Sequence, residues 1–333
     1  MKRIPIAIVG CGAVSELYHL PVFRAMPEFD IRYLVDVNEE RMRYLKDKYR
    51  LSCEISTDFA HVLKDENLEA VSILTPPKLH YSMVKDAAQA NLNVFCEKPF
   101  AMSSNEAKEM IDVCRKNSVA LLPGFNFRYI SQFRKIKSLM QDGFFGTLIG
   151  ASSTMFTNAF SWPSVTKFQY DKKIGGGALF EMGVHHVDLM NWLFGDPQAV
   201  SANINIYKNS VIDDTAYVNI RYKNGSNCNI FTGWNGLSIN TVTVIGTDGY
   251  ASAASNKNEV IYYRADLVGQ PPLKIKTERT LNPYHEEMKH FYNIIRKGDK
   301  SVFTDEEIIN SINVVEMAYE SSNNSGKVIN NES

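Results

Sequence analysis

Lys98 follows the apolar run Asn93 to Cys96 and Glu97, and it precedes Pro99. Read as a buried parallel strand, that run delivers Lys98 to the carboxyl edge of a sheet, where a side chain reaches a ligand crevice without breaking the ladder. Pro99 removes a backbone donor and biases Lys98 towards an extended conformation, so neither strand nor helix runs on through this point. A cation fixed there can stabilise oxygen as negative charge develops; a solvated strand-end lysine is the plain alternative. Farther on, Glu181, His185, Asp188 and Trp192 recur at i, i+4, i+7 and i+11 of a helix predicted over residues 178–193. Leu179, Met182, Leu189, Met190 and Leu193 take the opposite face. The ionisable stripe is therefore expected to face away from the apolar core. Histidine suits a general base because its pKa lies near neutrality, although spacing alone fits an exposed helix histidine at 185 equally well. His186 falls on the apolar side and reads as a satisfied core residue. A His/Glu pair with no third ligand indicated does not read as a metal site.

These groups need a scaffold, and the first half of the chain spells one out. Ile4 to Val9 is a short apolar, β-branched run, followed by Gly10, Cys11, Gly12, Ala13, Val14, Ser15 and a helical pattern. Such a strand, glycine turn and helix lets the backbone approach a pyrophosphate whose charge is held at the helix N-terminus. Gly10, Gly12, Ala13 and Val14 are the candidate cofactor contacts, with a purely structural glycine turn as the alternative. Ser15 stands where a third Gly or Ala is usual and is small enough for close helix–strand packing. The next strand, Ile31 to Val35, ends in Asp36, about 20 residues on, where an acidic side chain accepts from the adenosine ribose 2′-hydroxyl. Asp36 would repel a 2′-phosphate, so NAD is expected over NADP, with Arg41 and Arg43 as the cations that argue the other way.

Arg41 to Tyr49 reads as helix and Ala70 to Leu74 as another buried strand, ending in the rigid Thr75, Pro76, Pro77 turn. Thr75 and Pro76 are expected to line the crevice. His80 opens a helix to about Asn91 and by itself reads first as a capping or structural histidine. Ser103 and Glu106 form a capping box for a helix to Lys116, and Val119 to Leu122 supplies a sixth strand. This alternation predicts a doubly wound parallel sheet. In the second half, Ala199 to Tyr207, Thr215 to Tyr222, Asn229 to Trp234 and Asn240 to Ile245 alternate as strands of an antiparallel sheet, with Asn224-Gly225 as a hairpin turn. Helices over residues 284–296 and 305–321 are expected to pack back near the first domain, and the Ser/Asn-rich tail from Ser321 to fray. A loop over residues 155–173, with Phe156, Phe160, Trp162, Phe168 and Tyr170, is expected to shape the pocket. Aromatic faces suit sugar rings and suit core packing equally well.

At 333 residues the chain can hold two domains, and a net charge of −1 gives no general affinity for nucleic acid or anionic lipid. Five scattered cysteines without a CxxC pair read as reduced thiols of a cytoplasmic protein. The apolar run after Met1, Lys2 and Arg3 is too short for a signal peptide or membrane span. A small-molecule partner is expected.

With these marks together, the chain resembles the glucose–fructose oxidoreductase and inositol dehydrogenase (Gfo/Idh/MocA) family. The resemblance rests on Gly10 and Gly12, Asp36, Thr75-Pro76 to His80, Glu97-Lys98-Pro99 and Gly124-Phe125-Asn126-Phe127-Arg128-Tyr129. It continues through Gly175-Gly176-Gly177 to Glu181 and His185, and through Gly246-Thr247-Asp248-Gly249. It implies an α/β fold with an N-terminal Rossmann domain over residues 1–123. A C-terminal α/β domain over residues 124–333 would carry a large, mostly antiparallel sheet that covers substrate on one face and commonly joins subunits on the other. Homodimers and homotetramers are both usual. The implied activity is NAD(H)-dependent hydride transfer between nicotinamide and a secondary alcohol or carbonyl of a sugar, inositol or sugar derivative. His185 matches the family's catalytic histidine, and Lys98 would share the reacting oxygen with it. Thr75, Pro76, His80, Glu97 and Lys98 join the cofactor contacts. Glu181 stands where the family usually has Asp and is expected to touch substrate, as are Arg128 and Trp162 in loops flanking the crevice, a structural role being the alternative for those two. A dinucleotide-binding sensor without chemistry and a reductase of imines or enones are the rival readings.

Overall fold

The computed structural model describes residues 2–159, 168–208, 211–236, 238–267, 269–278 and 282–332. Six strands, β1 (Ile4–Val9), β2 (Phe29–Val35), β3 (Glu54–Ser56), β4 (Ala70–Ile73), β5 (Asn93–Glu97) and β6 (Leu121–Gly124), form a parallel sheet in the order β3-β2-β1-β4-β5-β6. Between them run α1 (Leu20–Ala25), α2 (Glu39–Tyr49), α3 (Phe59–Val62), α4 (His80–Gln89) and α5 (Ser104–Lys116), with a π-helical segment, Ser15–His19, leading into α1. Helices on both faces explain why the central strands are apolar without alternation. In β1, Ile4, Ile6, Ala7, Ile8 and Val9 are all buried. The strand order reverses between β1 and β4, so a crevice opens beyond their carboxyl ends. The glycine turn after β1 and the Thr75 turn after β4 flank it.

Some boundaries moved. β2 begins two residues before the expected Ile31, β6 ends at Gly124 instead of Leu122, and β3 had no counterpart in the sequence reading. Three residues are too few to display a period.

The chain then forms α6 (Ser131–Gln141), β7 (Leu148–Phe156), α7 (Val184–Phe194), β8 (Pro197–Asn205), β9 (Thr215–Tyr222), β10 (Asn227–Gly233), β11 (Ile239–Gly246), β12 (Gly249–Ala254), β13 (Glu259–Arg264), β14 (Leu273–Lys276), α8 (Pro283–Lys297), α9 (Asp305–Asn323) and β15 (Ile329–Asn330). Nine strands make a second sheet, β14-β13-β12-β11-β7-β10-β9-β8-β15, antiparallel except where β7 meets β10. In β9, Ala216, Val218, Ile220 and Tyr222 are buried, whereas Tyr217, Asn219 and Arg221 are exposed. This period of two reports one covered face and one open face. The open face carries Tyr217, Phe231, Ile239 and Ile245.

Two expectations fail here. The tail does not fray: β15 pairs with β8, and Ser321 Oγ donates to the Lys327 carbonyl while accepting from Ala202 N. Phe156 ends a strand instead of lying in a loop. The last helices reach the first sheet. Phe291 of α8 meets Phe95 edge-on, Tyr292 meets Phe29, and Arg296 donates to the carbonyls of Lys2 and Arg3. Among the described residues no helix is long and apolar enough to cross a membrane, and no group of three or more His, Cys, Asp or Glu could hold a metal ion. All five cysteines are free and buried.

Candidate active site

Strand β5 places Lys98 at the crevice. The carboxylate of Glu97 turns back to accept from Lys98 N at 2.8 Å and from His19 Nε2 at 2.7 Å. Burial works to raise the Glu97 pKa, but His19 and Lys98 hold it below the ordinary value. Glu97 is 4% exposed, so it braces the lysine's backbone from behind and does not face the crevice. Lys98 Nζ donates to the Glu181 carbonyl at 2.9 Å and to Glu181 Oε1 at 2.8 Å. The extra methylene of Glu181 thus lets carboxylate and carbonyl hold one ammonium from a single residue.

Glu181 can offer its carbonyl because Ala178–Gly183 is π-helical before the chain tightens into α7. In that wider turn the carbonyl of Glu181 is reached from outside the helix, the kind of local irregularity that recurs at functional sites. One turn on, His185 is 5% exposed and stacks on Phe127, ring centroids 4.3 Å apart and planes 12° from parallel. Its Nδ1 has no hydrogen-bond partner among the described residues. Burial, then the charge of Lys98, then His186, press its pKa well below the ordinary value. His185 is therefore a neutral imidazole beside an ammonium, with an unused ring nitrogen.

The glycine turn fits a dinucleotide. Gly10 has φ +95°, and a Cβ there would lie 2.7 Å from the Leu74 carbonyl carbon, so only glycine lets β1 and β4 close at this point. A Cβ on Gly12 would meet nothing within 4 Å, leaving room for a phosphate to approach the backbone where half-buried Ala13 and Val14 open the first turn. Asp36 accepts from Cys11 N at 2.7 Å and from Asn38 N at 2.9 Å, which ties its carboxylate to the glycine turn. Carboxylate lone pairs remain for a hydroxyl. Thr75 and Pro76 are half-buried at the facing turn.

Several expected contacts lie elsewhere. His80 is fully buried, its Nδ1 2.9 Å from the Pro99 carbonyl and its Nε2 2.8 Å from the Thr75 carbonyl, so it ties the two crevice turns together from beneath. Arg128 is 1% exposed and pairs with Asp188 through Nε at 2.9 Å and Nη2 at 2.7 Å, and with Glu307 at 2.7 Å. It is a core residue, not a substrate contact. The ionisable stripe is corrected with it: Asp188 is fully buried because Arg128, 60 residues away in sequence, supplies its counter-charge. His186 is a satisfied core histidine, bonded to Ser153 and, at 3.0 Å, to Asn240. Trp162 lies outside the described residues.

His19 and Phe127 were missed. Phe127 stood inside the Gly124 to Tyr129 run and could have been flagged as an aromatic beside the crevice. His19 gave no signal, since its partner lies 78 residues on.

Residues 4–125 match the family described as the oxidoreductase family, NAD-binding Rossmann fold, and residues 133–252 match the GFO/IDH/MocA C-terminal domain. Among curated proteins the chain is similar to the uncharacterized oxidoreductase YrbE of Bacillus subtilis, with 27% identity over 315 residues, 91% of this chain and 89% of that protein. It is also similar to myo-inositol 2-dehydrogenase of Thermotoga maritima, with 24% identity over 312 residues and 91% of each covered. Levoglucosan dehydrogenase, solved in complex with NADH and L-sorbose, shares the fold at a TM-score of 0.90, with 19% identity and 99% of both chains covered.

Proposed function

The chain belongs to the Gfo/Idh/MocA oxidoreductase family, and we propose that it transfers hydride between NAD(H) and a secondary alcohol or carbonyl of a sugar or polyol, with Lys98 and His185 at the reacting oxygen. The observation that carries this reading is the convergence of an ammonium fixed by Glu181 and the buried imidazole of His185, close enough for the Lys98 charge to act on it. Nicotinamide, when bound, supplies the carbon that takes up or gives back hydride. In the oxidative direction His185 accepts the hydroxyl proton, a role open to it because its lowered pKa keeps it unprotonated at neutral pH. Lys98, held by Glu181, stabilises the oxygen as negative charge develops and orients the carbonyl product. Glu181 faces the same space and contacts substrate through the oxygen it does not spend on Lys98. In this reading residues 1–123 bind the dinucleotide and residues 124–333 supply the substrate contacts.

NAD is preferred over NADP. Asp36 stands at the ribose, Arg41 is spent on the Cys11 carbonyl and Glu16, and Arg43 on Glu39. The sugar or polyol class is supported by relatives such as the Thermotoga maritima inositol dehydrogenase. The open face of the second sheet, where Tyr217, Phe231, Ile239 and Ile245 are exposed, supports a homodimer or homotetramer.

The test is nicotinamide reduction across inositols, free sugars, sugar phosphates and nucleotide sugars, with Lys98→Met as the comparison. Lys98→Met is expected to lower turnover about 10²–10³-fold, the scale of losing one preorganised donor, with NAD affinity within a few fold. Near-normal turnover in that variant would remove Lys98 from the mechanism.

A further inference from the structure

Asp213 lies in the turn between β8 and β9 and is 6% exposed. Its hydrogen bonds converge on the start of the π-helical turn that carries Glu181. Oδ2 accepts from Leu179 N at 3.0 Å, and the main-chain carbonyl accepts from Ala178 N at 3.0 Å. Oδ1 accepts from the Tyr319 hydroxyl of α9 at 3.0 Å. Gly177, with φ +113°, brings the backbone hard against this carboxylate: a Cβ there would stand 2.5 Å from Asp213 Oδ1 and 2.9 Å from the Tyr319 hydroxyl. The residue preceding the turn offers no side-chain cap of its own. Asp213 satisfies the orphan donors from across the fold, with its negative charge at the N-terminal end of the turn. The Lys172 ammonium completes the surroundings, 4.3 Å from the centre of the Tyr319 ring.

Two residues past Leu179 comes Glu181, whose carbonyl and carboxylate both hold Lys98 Nζ. A shift of this turn therefore moves both acceptors of the lysine at once. We propose that Asp213 is a positioning residue, fixing the turn so that Glu181 holds Lys98 beside His185. This rests on the roles proposed above for Lys98 and His185.

Asp213→Ala, Asp213→Asn and Asp213→Glu are compared by NMR titration of the His185 imidazole in the cofactor-free protein, by the pH profile of kcat/KM and by NADH affinity. In Asp213→Ala, Lys98 drifts from His185, so the His185 titration and the acid limb of kcat/KM move to higher pH by about half a pH unit or more. The same variant loses turnover at least about tenfold, as expected for misplacement of a reacting group, while NADH affinity stays within about twofold. Asp213→Asn, which still accepts from Leu179 N, restores the wild-type titration and most of the turnover. Asp213→Glu keeps the charge but displaces the cap, and moves the titration as Ala does, which keeps the test open should the Ala variant not fold. An unmoved His185 titration in folded Asp213→Ala or Asp213→Glu overturns the inference. If Lys98→Met retains turnover, the underlying roles fail; if Lys98→Met loses turnover while the Asp213 variants leave His185 unmoved, the Asp213 inference alone fails.

Discussion

The His185 imidazole lies flat on the Phe127 ring, with the centroids 4.3 Å apart. That contact is part of the burial that presses the His185 pKa well below its ordinary value, ahead of the Lys98 charge. A base of lowered pKa stays unprotonated to lower pH, so activity is lost only as pH falls through that lowered value. The acid limb of kcat/KM is expected below the ordinary histidine range. Phe127→Ala admits water, relieves the desolvation and moves the limb to higher pH; a limb that stays in place would assign it to another group.

Arg128 and Asp188 form an ion pair with both side chains out of water. Removing Arg128 strands the Asp188 charge, and Arg128→Met is expected to cost about 3–5 kcal/mol, read as a drop in Tm, whereas Asp188→Ala leaves Arg128 its bond to Glu307 and costs less. Arg128→Met with Asp188→Leu is expected to recover much of that loss. Below its melting temperature Arg128→Met should keep the wild-type KM for substrate, and a raised KM would restore Arg128 as a substrate contact.

Gly10 and Gly12 sit two apart and fail differently. Gly10→Ala drives a methyl into the Leu74 and Thr75 backbone, where nothing flexible can yield, and lowers Tm in the cofactor-free protein. Gly12→Ala meets no protein atom within 4 Å, so Tm without cofactor is unchanged while dinucleotide affinity falls. Isothermal titration with NADH beside thermal melts separates the two, and unchanged affinity in Gly12→Ala would place the pyrophosphate elsewhere.

Glu287 is fully buried on α8, and neither carboxylate oxygen has a hydrogen-bond partner among the described residues. Burial, then the charge of Glu97, raise its pKa well above the ordinary carboxylate value. The folded chain holds a proton that the unfolded chain releases, so stability is full below the ordinary carboxylate range and falls as pH rises towards the raised value. Between about pH 5 and pH 8 the Tm of the wild type should decline relative to Glu287→Gln, which carries no such proton. Parallel curves would show that Glu287 is ionised when folded.

Strands buried on both faces were legible because their apolar runs are continuous, as in Ile4 to Val9, and the Asp36 and Lys98 positions followed from where such runs stop. Spacing placed Glu181 and His185 on one side of a helix, and the structure keeps both near Lys98. The same spacing misjudged Asp188, because helical period says which residues share a side but not what lies opposite. Arg128, the group that makes a buried Asp188 tolerable, comes from another segment. Glu97 and His80 were recognised as positions but their protein partners were not: each turns inward to a group that sequence distance conceals, His19 for one and the Pro99 and Thr75 carbonyls for the other. β15 was hidden by composition, since a Ser/Asn-rich tail looks the same whether or not a neighbouring strand edge is available to it.

Helix α8 closes over the first sheet, covering Phe29 and Phe95 with Tyr292 and Phe291 and clasping the main chain at Lys2 and Arg3 through Arg296. The nucleotide-binding half is consequently not a cassette. A chimera that exchanged it between relatives at the junction after β6 would inherit a foreign helix against its own aromatic surface, and at Phe95 the mismatch would fall on the strand that carries Lys98. A workable graft has to take its insert from two distant stretches of chain, helix α8 among them.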